Sequence, residues 1–137
     1  MGLTHLDAGV IIGFLDADDL HHEAATEVLS DALKQNDRLC IAASALTECL
    51  VGPARRGSQQ IDVVRALLQR LPVSVVDIGT EAAVRAAVIR AQHKKLRTPD
   101  ALVIATAETS SAQRLITTDH QWPAAESMGL NVVIERI

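Results

Sequence analysis

The chain has 137 residues, 48% of them apolar, which is enough to fill one hydrophobic core without disulfides or structural metals. Its formal net charge of −4 argues against a protein that coats nucleic acid through bulk positive charge. Aromatic residues make up only 1% of the sequence, which excludes base recognition on a broad aromatic platform. We therefore expect a single domain over residues 1–137.

The sequence shows no membrane or secretion signal. Its longest apolar run, residues 10–15, is far shorter than the roughly 20 residues of a transmembrane helix. No basic region precedes this run and no small-residue cleavage site follows it, so we expect no secretory signal. Cys40 and Cys49 lie in apolar stretches without metal-type spacing and should be reduced and buried. The sequence predicts a cytoplasmic protein with no membrane partner.

Short β-branched runs alternate with longer helical stretches along the first half of the chain, as in βα units. The apolar spacing predicts strands over residues 3–6 and 38–42, a short apolar helix over 10–15 and an amphipathic helix over 20–35. Ser44 is a suitable N-cap for the next helix, which Gly52 and Pro53 should bend or end.

The second half continues the alternation. It predicts helices over residues 59–71 and 80–95, a further helix from residue 98, and strands over 73–76, 114–117 and 131–134. Thr98 is the expected N-cap of the last helix, with Pro99 at its first position and Asp100 in its first turn. The whole pattern predicts a three-layer α/β fold in which helices flank a central, mainly parallel sheet of about five strands.

Four acidic residues are expected near one edge of that sheet. Asp7 and Asp119 each follow a predicted strand, and the carboxyl ends of parallel strands form a ligand crevice. Glu48 and Asp100 lie near helix starts, which belong to the same edge. Four neighbouring carboxylates raise one another's pKa values unless a cation is bound. Oxygen ligands favour Mg²⁺ or Mn²⁺ over Zn²⁺, and such ions activate water for attack on a phosphodiester.

Each acid also has an ordinary structural explanation. Asp7 and Asp119 could simply form turns after strands, and Asp100 could stabilise a helix start through the helix dipole. Glu48 could be a solvated helical residue. Spacing along the chain leaves these alternatives open.

Four sequence blocks resemble the PIN domain family, and more closely its VapC-type toxin branch. The blocks are HLDAGVII with Asp7, SALTE with Glu48, LRTPDALVIATA with Asp100 and LITTD with Asp119. The third block is the most specific, and the order and approximate separation of all four agree along nearly the whole chain. One position departs from the family pattern, because Gly9 stands where the family often has Asn or Ser.

The resemblance implies a PIN-like fold and a Mg²⁺- or Mn²⁺-dependent endoribonuclease, the toxin of a type II toxin–antitoxin module. In this interpretation the four acids are catalytic and bind metal, and metal-activated water hydrolyses RNA. The resemblance also implies a homodimer and a cognate VapB-like antitoxin, which lays a helix in an apolar groove and inserts a basic residue into the acidic pocket. Candidates for that groove are Ile11, Ile12, Phe14 and Leu15, with ordinary core burial as the alternative.

A few further residues are candidates for contact with RNA. They are Thr117, which by its position in the family could instead bond the acids or the attacking water, and Arg97, in a basic cluster over residues 94–97. A second basic pair covers residues 55–56, and solvated helix ends are the alternative for both clusters. His120 is expected to be an exposed loop histidine rather than a proton donor, because metal-bound water can do that work.

Other functional classes fit less well. A phosphatase of the haloacid-dehalogenase type would need a second acid where this chain has Gly9, and a receiver domain would need paired acids ahead of its phosphorylated Asp. Two alternatives remain: a non-catalytic PIN-like module that binds RNA or a partner, and a single-strand nuclease outside a toxin–antitoxin system. Retention of all four acids counts against the first, because the cluster is unfavourable without metal.

Overall fold

The computed structural model describes residues 2–137, and strands and helices alternate along them as the sequence pattern predicts. The strands are β1 (Leu3–Leu6), β2 (Arg38–Ala42), β3 (Val73–Val76), β4 (Arg114–Thr117) and β5 (Val133–Arg136). The helices are α1 (Ala8–Leu15), α2 (His22–Lys34), α3 (Ala43–Arg56), α4 (Ser58–Arg70), α5 (Thr80–Gln92) and α6 (Thr98–Thr109), and a single 3₁₀ turn covers Ala125–Met128.

The strands form one sheet in the order β3-β2-β1-β4-β5, and every neighbouring pair is parallel. The chain therefore moves outward from β1 through β2 to β3, and then returns to the other side of β1 for β4. Between β1 and β4 the winding direction reverses, and in open parallel sheets a ligand crevice forms at such a switch point. The predicted three-layer α/β fold with a five-stranded parallel sheet is confirmed.

The central strands are buried on both faces, which explains why they contain almost continuous apolar runs. Leu115 and Ile116 of β4 and Leu6 of β1 are fully buried. His5 of β1 is also fully buried, with its Nε2 atom 2.7 Å from the Ser110 hydroxyl oxygen. Burial lowers the pKa of His5 to about 4, so this imidazole is neutral at physiological pH and acts as a core residue.

Several helix boundaries differ from the predictions. The predicted N-cap at Ser44 is wrong, because α3 begins at Ala43 and its N-cap is Ala42, two residues earlier. This helix also continues through Pro53 to Arg56, so of the two predicted effects of Gly52 and Pro53, a bend or an end, the end is wrong. Similarly, α6 starts at Thr98 itself, with the N-cap one residue before it and no side-chain cap. Local cap signals thus located both helices to within a turn but not their first residues.

The last strand lies two residues later than predicted, at Val133–Arg136 instead of residues 131–134. Its register is fixed by pairing with β4, in which Leu115 lies opposite Ile134 and Thr117 opposite Arg136. The prediction for the two cysteines is confirmed: Cys40 and Cys49 are both free and buried. No helix within residues 2–137 is both long and apolar enough to cross a lipid bilayer.

Candidate active site

Asp7 occupies the junction between β1 and α1, beside the switch point of the sheet. Its backbone is extended, and its Oδ1 atom accepts a hydrogen bond of 2.9 Å from the Ala8 amide, so it caps α1. Its Oδ2 atom accepts a bond of 2.8 Å from the Thr117 hydroxyl. Only 7% of the residue is exposed. The carboxylate is therefore fixed through both of its oxygens.

Thr117, at the end of β4, connects two of the predicted site acids. Its hydroxyl donates to Asp7 and accepts a bond of 3.0 Å from the Asp119 backbone amide. One hydroxyl can do both because it has one donor and two acceptor sites. Thr117 has no exposed surface. Of the predicted roles of Thr117, the bond to an acid is present, whereas direct contact with RNA needs correction because the side chain is fully buried; Thr117 positions the Asp7 carboxylate.

Asp100 lies in the first turn of α6 and is 8% exposed. Its Oδ2 atom is 3.4 Å from Nε of Arg97, whose side chain is 73% exposed. An ion pair of this length with one exposed partner contributes little to stability. Arg97 thus lies beside a site acid with most of its side chain in solvent, and its contact with RNA stays a prediction.

The pKa of Asp7 indicates which acids share its surroundings. Burial raises this pKa from 3.8 to about 6, against the hydrogen bonds from Thr117 and Ala8, which lower it. The negative charges of Asp100 and Glu48 raise it further. Burial, and then the charges of Asp7 and Glu48, similarly raise the pKa of Cys49 to about 12. Three of the four predicted acids therefore interact electrostatically around Asp7.

Asp119 is placed differently from the other three acids. It is half-buried just after β4, and its Oδ1 atom accepts a bond of 2.8 Å from the Gln121 amide. Its charge is not among those that raise the pKa of Asp7. Its link to Asp7 runs instead through the Thr117 hydroxyl. Asp119 therefore lies at the periphery of the cluster.

The carboxylate oxygens of the site are ligands that suit a hard divalent cation, although they do not form a complete coordination shell on their own. Within residues 2–137, no three His, Cys, Asp or Glu side chains are grouped closely enough to hold a metal ion. Mg²⁺ rarely needs a complete shell of protein ligands, because it keeps several waters and takes one or two carboxylates together with substrate phosphate. Each Asp7 oxygen accepts one hydrogen bond and retains a further acceptor site. A cation there would also relieve the repulsion that raises the pKa of Asp7.

Two openings are lined by three of the four acids, and Asp7 lines neither of them. The first, called the basic cleft, has a volume of about 670 Å³. Its walls include Lys94, Lys95, Arg97, Asp100, Asp119 and Trp122. The second, called the apolar groove, runs between α1, α3 and α4 and has a volume of about 550 Å³. Its walls include Ile12, Leu15, Glu48, Val63, Val64 and Leu67. Asp100 and Asp119 thus open into the cleft, and Glu48 opens into the groove.

The sequence model of the PIN domain family matches residues 5–127, a segment that contains all four acids. The chain belongs to the PIN domain family. The match begins in β1 and ends in the 3₁₀ turn, so it covers both strands of the switch point and every helix. Among curated protein sequences, none matches this PIN domain.

Solved structures share its fold over nearly their full length. A chain of VapBC2 from Rickettsia felis, bound to a promoter DNA fragment, superposes with a TM-score of 0.72 at 15% identity, covering 98% of each chain. VapC20 from Mycobacterium tuberculosis, a toxin that cleaves the sarcin–ricin loop, gives 0.69 at 16% identity, covering 95% of this PIN domain and 98% of that chain. A chain of VapBC-1 from nontypeable Haemophilus influenzae superposes with a TM-score of 0.72 at 18% identity, covering 98% of this PIN domain and 97% of that chain. At these identities the likeness establishes the fold.

The departure from the family pattern at Gly9 has a structural counterpart in this PIN domain. A Cβ atom at residue 9 would overlap the hydroxyl of Thr118 and lie 3.3 Å from the Thr118 Cβ. The Thr118 side chain therefore fills the space into which a side chain at residue 9 would project. A larger residue at position 9 requires Thr118 to rotate, because the two positions compete for one volume.

The groove residues proposed from the sequence divide into two sets. Ile12 and Leu15 line the apolar groove, whereas Ile11 is fully buried and Phe14 packs against the core. The opposite wall, from α4, was missed. A signal for it existed, since α4 is amphipathic and yet leaves Val63 52% exposed. His120 is exposed, as expected.

Proposed function

We propose that this PIN domain is a Mg²⁺- or Mn²⁺-dependent endoribonuclease that acts as the toxin of a type II toxin–antitoxin module. The observation that carries the proposal is the buried Asp7 carboxylate, whose pKa the charges of Asp100 and Glu48 raise further. Such a group is unfavourable without a cation, and the switch point is where an open parallel sheet binds ligands. The shared fold with a toxin that cleaves an RNA loop supports the choice of substrate.

In this proposal, Asp7 and Asp100 hold the ion, and Glu48 and Asp119 complete its surroundings. When bound, the ion would lower the pKa of a coordinated water and stabilise the charge that develops on the leaving oxygen. The Ala8 amide and the Thr117 hydroxyl hold the Asp7 carboxylate in one orientation. Such fixed ligands reduce the reorganisation that must accompany the reaction.

The proposal is tested by incubating the purified protein with cellular RNA and mapping new 5′ ends. Discrete cleavage should require Mg²⁺ or Mn²⁺, stop with a chelator and be absent in Asp100→Asn. The matched control is Asp31→Asn, which removes an equal charge from the exposed surface of α2 and should cleave like wild type. Equal cleavage maps for wild type and Asp100→Asn would show that the site is wrongly assigned. If no RNA is cut under any of these conditions, the non-catalytic binding module is the better interpretation.

We also propose that the apolar groove binds the helix of a VapB-like antitoxin. Ile12 and Val63 on its walls are 38% and 52% exposed, which is unfavourable for apolar side chains in water. Glu48 and Asp16 in the same groove supply negative charge for a basic residue of the partner. The occurrence of this fold in VapBC complexes supports such a partner.

Val63→Asp should weaken binding of the antitoxin encoded beside this chain by about tenfold or more, because it puts a charge into an apolar contact. Titration calorimetry of the purified pair measures the change. Val133→Asp is the matched control, because Val133 is 64% exposed on β5 and lies outside the groove. Equal affinities for the two variants would exclude the groove as the antitoxin site.

The homodimer implied by the family resemblance is likewise a proposal, and α5 offers a surface for it. Val84 and Val88, one turn apart, are 61% and 42% exposed. Arg85 between them turns away, donating to Glu108 at 2.6 Å and to the Met128 carbonyl at 2.7 Å. The outer face of α5 is therefore apolar over two turns, as in an interface between two copies.

A further inference from the structure

The basic cleft concentrates positive charge in a chain that is acidic as a whole. The sequence has 13 Lys and Arg residues against 17 Asp and Glu residues. Three of those cations fall within residues 94–97, on one wall of the cleft that contains Asp100 and Asp119. A phosphate backbone is repelled by a carboxylate site and needs cations beside it in order to approach.

The segment that carries these cations is held firmly. It covers residues 93–97, between α5 and α6. Leu96 is buried, and its carbonyl accepts a bond of 2.6 Å from Arg90. His93 Nε2 lies 3.2 Å from the Ser127 carbonyl oxygen, which ties the segment to the 3₁₀ turn. The backbone is thus anchored at both ends, and its exposed side chains project from a fixed platform.

Lys94 and Lys95 are the cations of this platform that remain available to a ligand. Arg97 is paired with Asp100, whereas neither lysine forms an ion pair within residues 2–137. The opposite wall offers little aromatic surface, because Trp122 is only 5% exposed. Binding here therefore depends on charge rather than on base stacking.

The apolar groove has the opposite character. Its walls are mainly aliphatic, and they contain Asp16 and Glu48 against the single cation Arg56. Phosphates lose hydration there without gaining a matching positive surface. The two openings of the site are therefore chemically distinct.

We propose that the basic cleft is the path of the RNA backbone, in which Lys94 and Lys95 each hold a phosphate beside the scissile bond, and that the apolar groove takes no part in RNA binding. This inference rests on the proposed nuclease function and assigns its substrate to one of the two openings. It makes the two lysines substrate-binding residues and separates them from the acids that carry the chemistry.

The test measures how salt affects binding of a fluorescently labelled, single-stranded RNA of mixed sequence, with Asp7→Asn as the non-cleaving background. Each lost phosphate contact should make the slope of log K against log salt concentration shallower by about 0.7, so Lys94→Ala with Lys95→Ala should reduce it by about 1.4. Affinity at low salt should fall by roughly tenfold. The matched control is Lys34→Ala with Arg70→Ala, which removes the same charge from the ends of α2 and α4, outside both openings. Val63→Asp probes the groove.

The proposal predicts that the control pair and Val63→Asp keep the wild-type slope. If the control pair shows the same decrease in slope, bulk charge governs binding. If Val63→Asp shows the same decrease in slope, the RNA binds in the apolar groove. Either result overturns the inference. If wild type cleaves RNA but the lysine pair keeps its slope, the inference fails and the nuclease function stands. If the wild type neither cleaves RNA nor binds it in a salt-dependent way, both fail.

Discussion

Replacing Asp7 with asparagine is expected to abolish RNA cleavage and to make the metal-free protein more stable above pH 6. Loss of a metal-holding carboxylate should reduce the rate at least about a hundredfold. The gain in stability has a separate cause. Asp7 is 7% exposed, and its burial raises its pKa from 3.8 to about 6. Ionised Asp7 therefore lowers the free energy of unfolding at neutral pH, by about 2 to 3 kcal/mol for a shift of this size. Asparagine fits the same space without the charge and can still accept the bond from the Ala8 amide, but its NH2 group cannot accept the bond from Thr117, so the net gain is smaller than this figure.

The sign of the effect sets the pH window. Between pH 3.8 and 6 the folded protein holds a proton on Asp7 that the unfolded chain releases, so wild-type stability falls as pH rises through this range. Asp7→Asn does not lose stability in this way, because asparagine does not titrate. The difference in stability between the two proteins should thus shift in favour of Asp7→Asn between pH 3.8 and 6 and stay constant above pH 6. Urea unfolding with a chelator measures the difference, and Asp31→Asn should show none. A less stable Asp7→Asn at pH 8 would contradict the prediction. Added Mn²⁺ should stabilise wild type and leave Asp7→Asn unchanged.

Thr117→Val is expected to reduce kcat/KM for RNA by about tenfold or more and to raise the Mn²⁺ concentration needed for half-maximal activity. Valine keeps the volume of threonine but lacks its hydroxyl. Oδ2 of Asp7 then loses a bond of 2.8 Å, and the Asp119 amide loses a bond of 3.0 Å. Two polar groups are left without partners, which should also lower the free energy of unfolding by about 1 to 3 kcal/mol.

Two matched variants separate positioning from simple destabilisation. Thr117→Ser retains the hydroxyl and should restore both the rate and the Mn²⁺ requirement. Thr106→Val removes another buried hydroxyl, whose bond of 2.7 Å goes to the Leu102 carbonyl within α6. It should affect stability without changing the Mn²⁺ requirement. If Thr106→Val and Thr117→Val change the Mn²⁺ requirement equally, Thr117 has no specific role toward Asp7.

The bounds of the first four strands were predictable because each is a short stretch rich in apolar or β-branched residues between helical segments. The three inner strands, β2, β1 and β4, are almost entirely buried, whereas β3 lies at an edge of the sheet and is partly exposed. The edge strand β5 was misplaced because its limits depend on pairing with β4 rather than on its own composition. For the same reason the predicted caps at Ser44 and Thr98 were wrong by two residues and by one, since the packing of each helix fixes where it starts.

The cluster around Asp7 followed from topology, whereas its fine structure did not. The starts of α3 and α6 were expected at the same edge of the sheet as Asp7, and the charges of Glu48 and Asp100 act on it as expected. Asp119, which the strand-end argument placed beside Asp7, lies instead at the periphery of the cluster and is linked to it through the Thr117 hydroxyl. The bond from Thr117 to Asp7 joins residues 110 positions apart, and no local pattern encodes it. The overlap of the Thr118 hydroxyl with the side-chain space of Gly9 is equally non-local. Such contacts depend on side-chain packing, which propensity and spacing do not specify.

The burial of Asp7 also bears on how sequences with this fold can drift. Most substitutions lower stability, but a neutral residue at position 7 should make folding more favourable. In a lineage released from selection for cleavage, the first acid to disappear should therefore be this one. A screen of random variants that rewards thermal resistance alone would enrich the same inactive proteins.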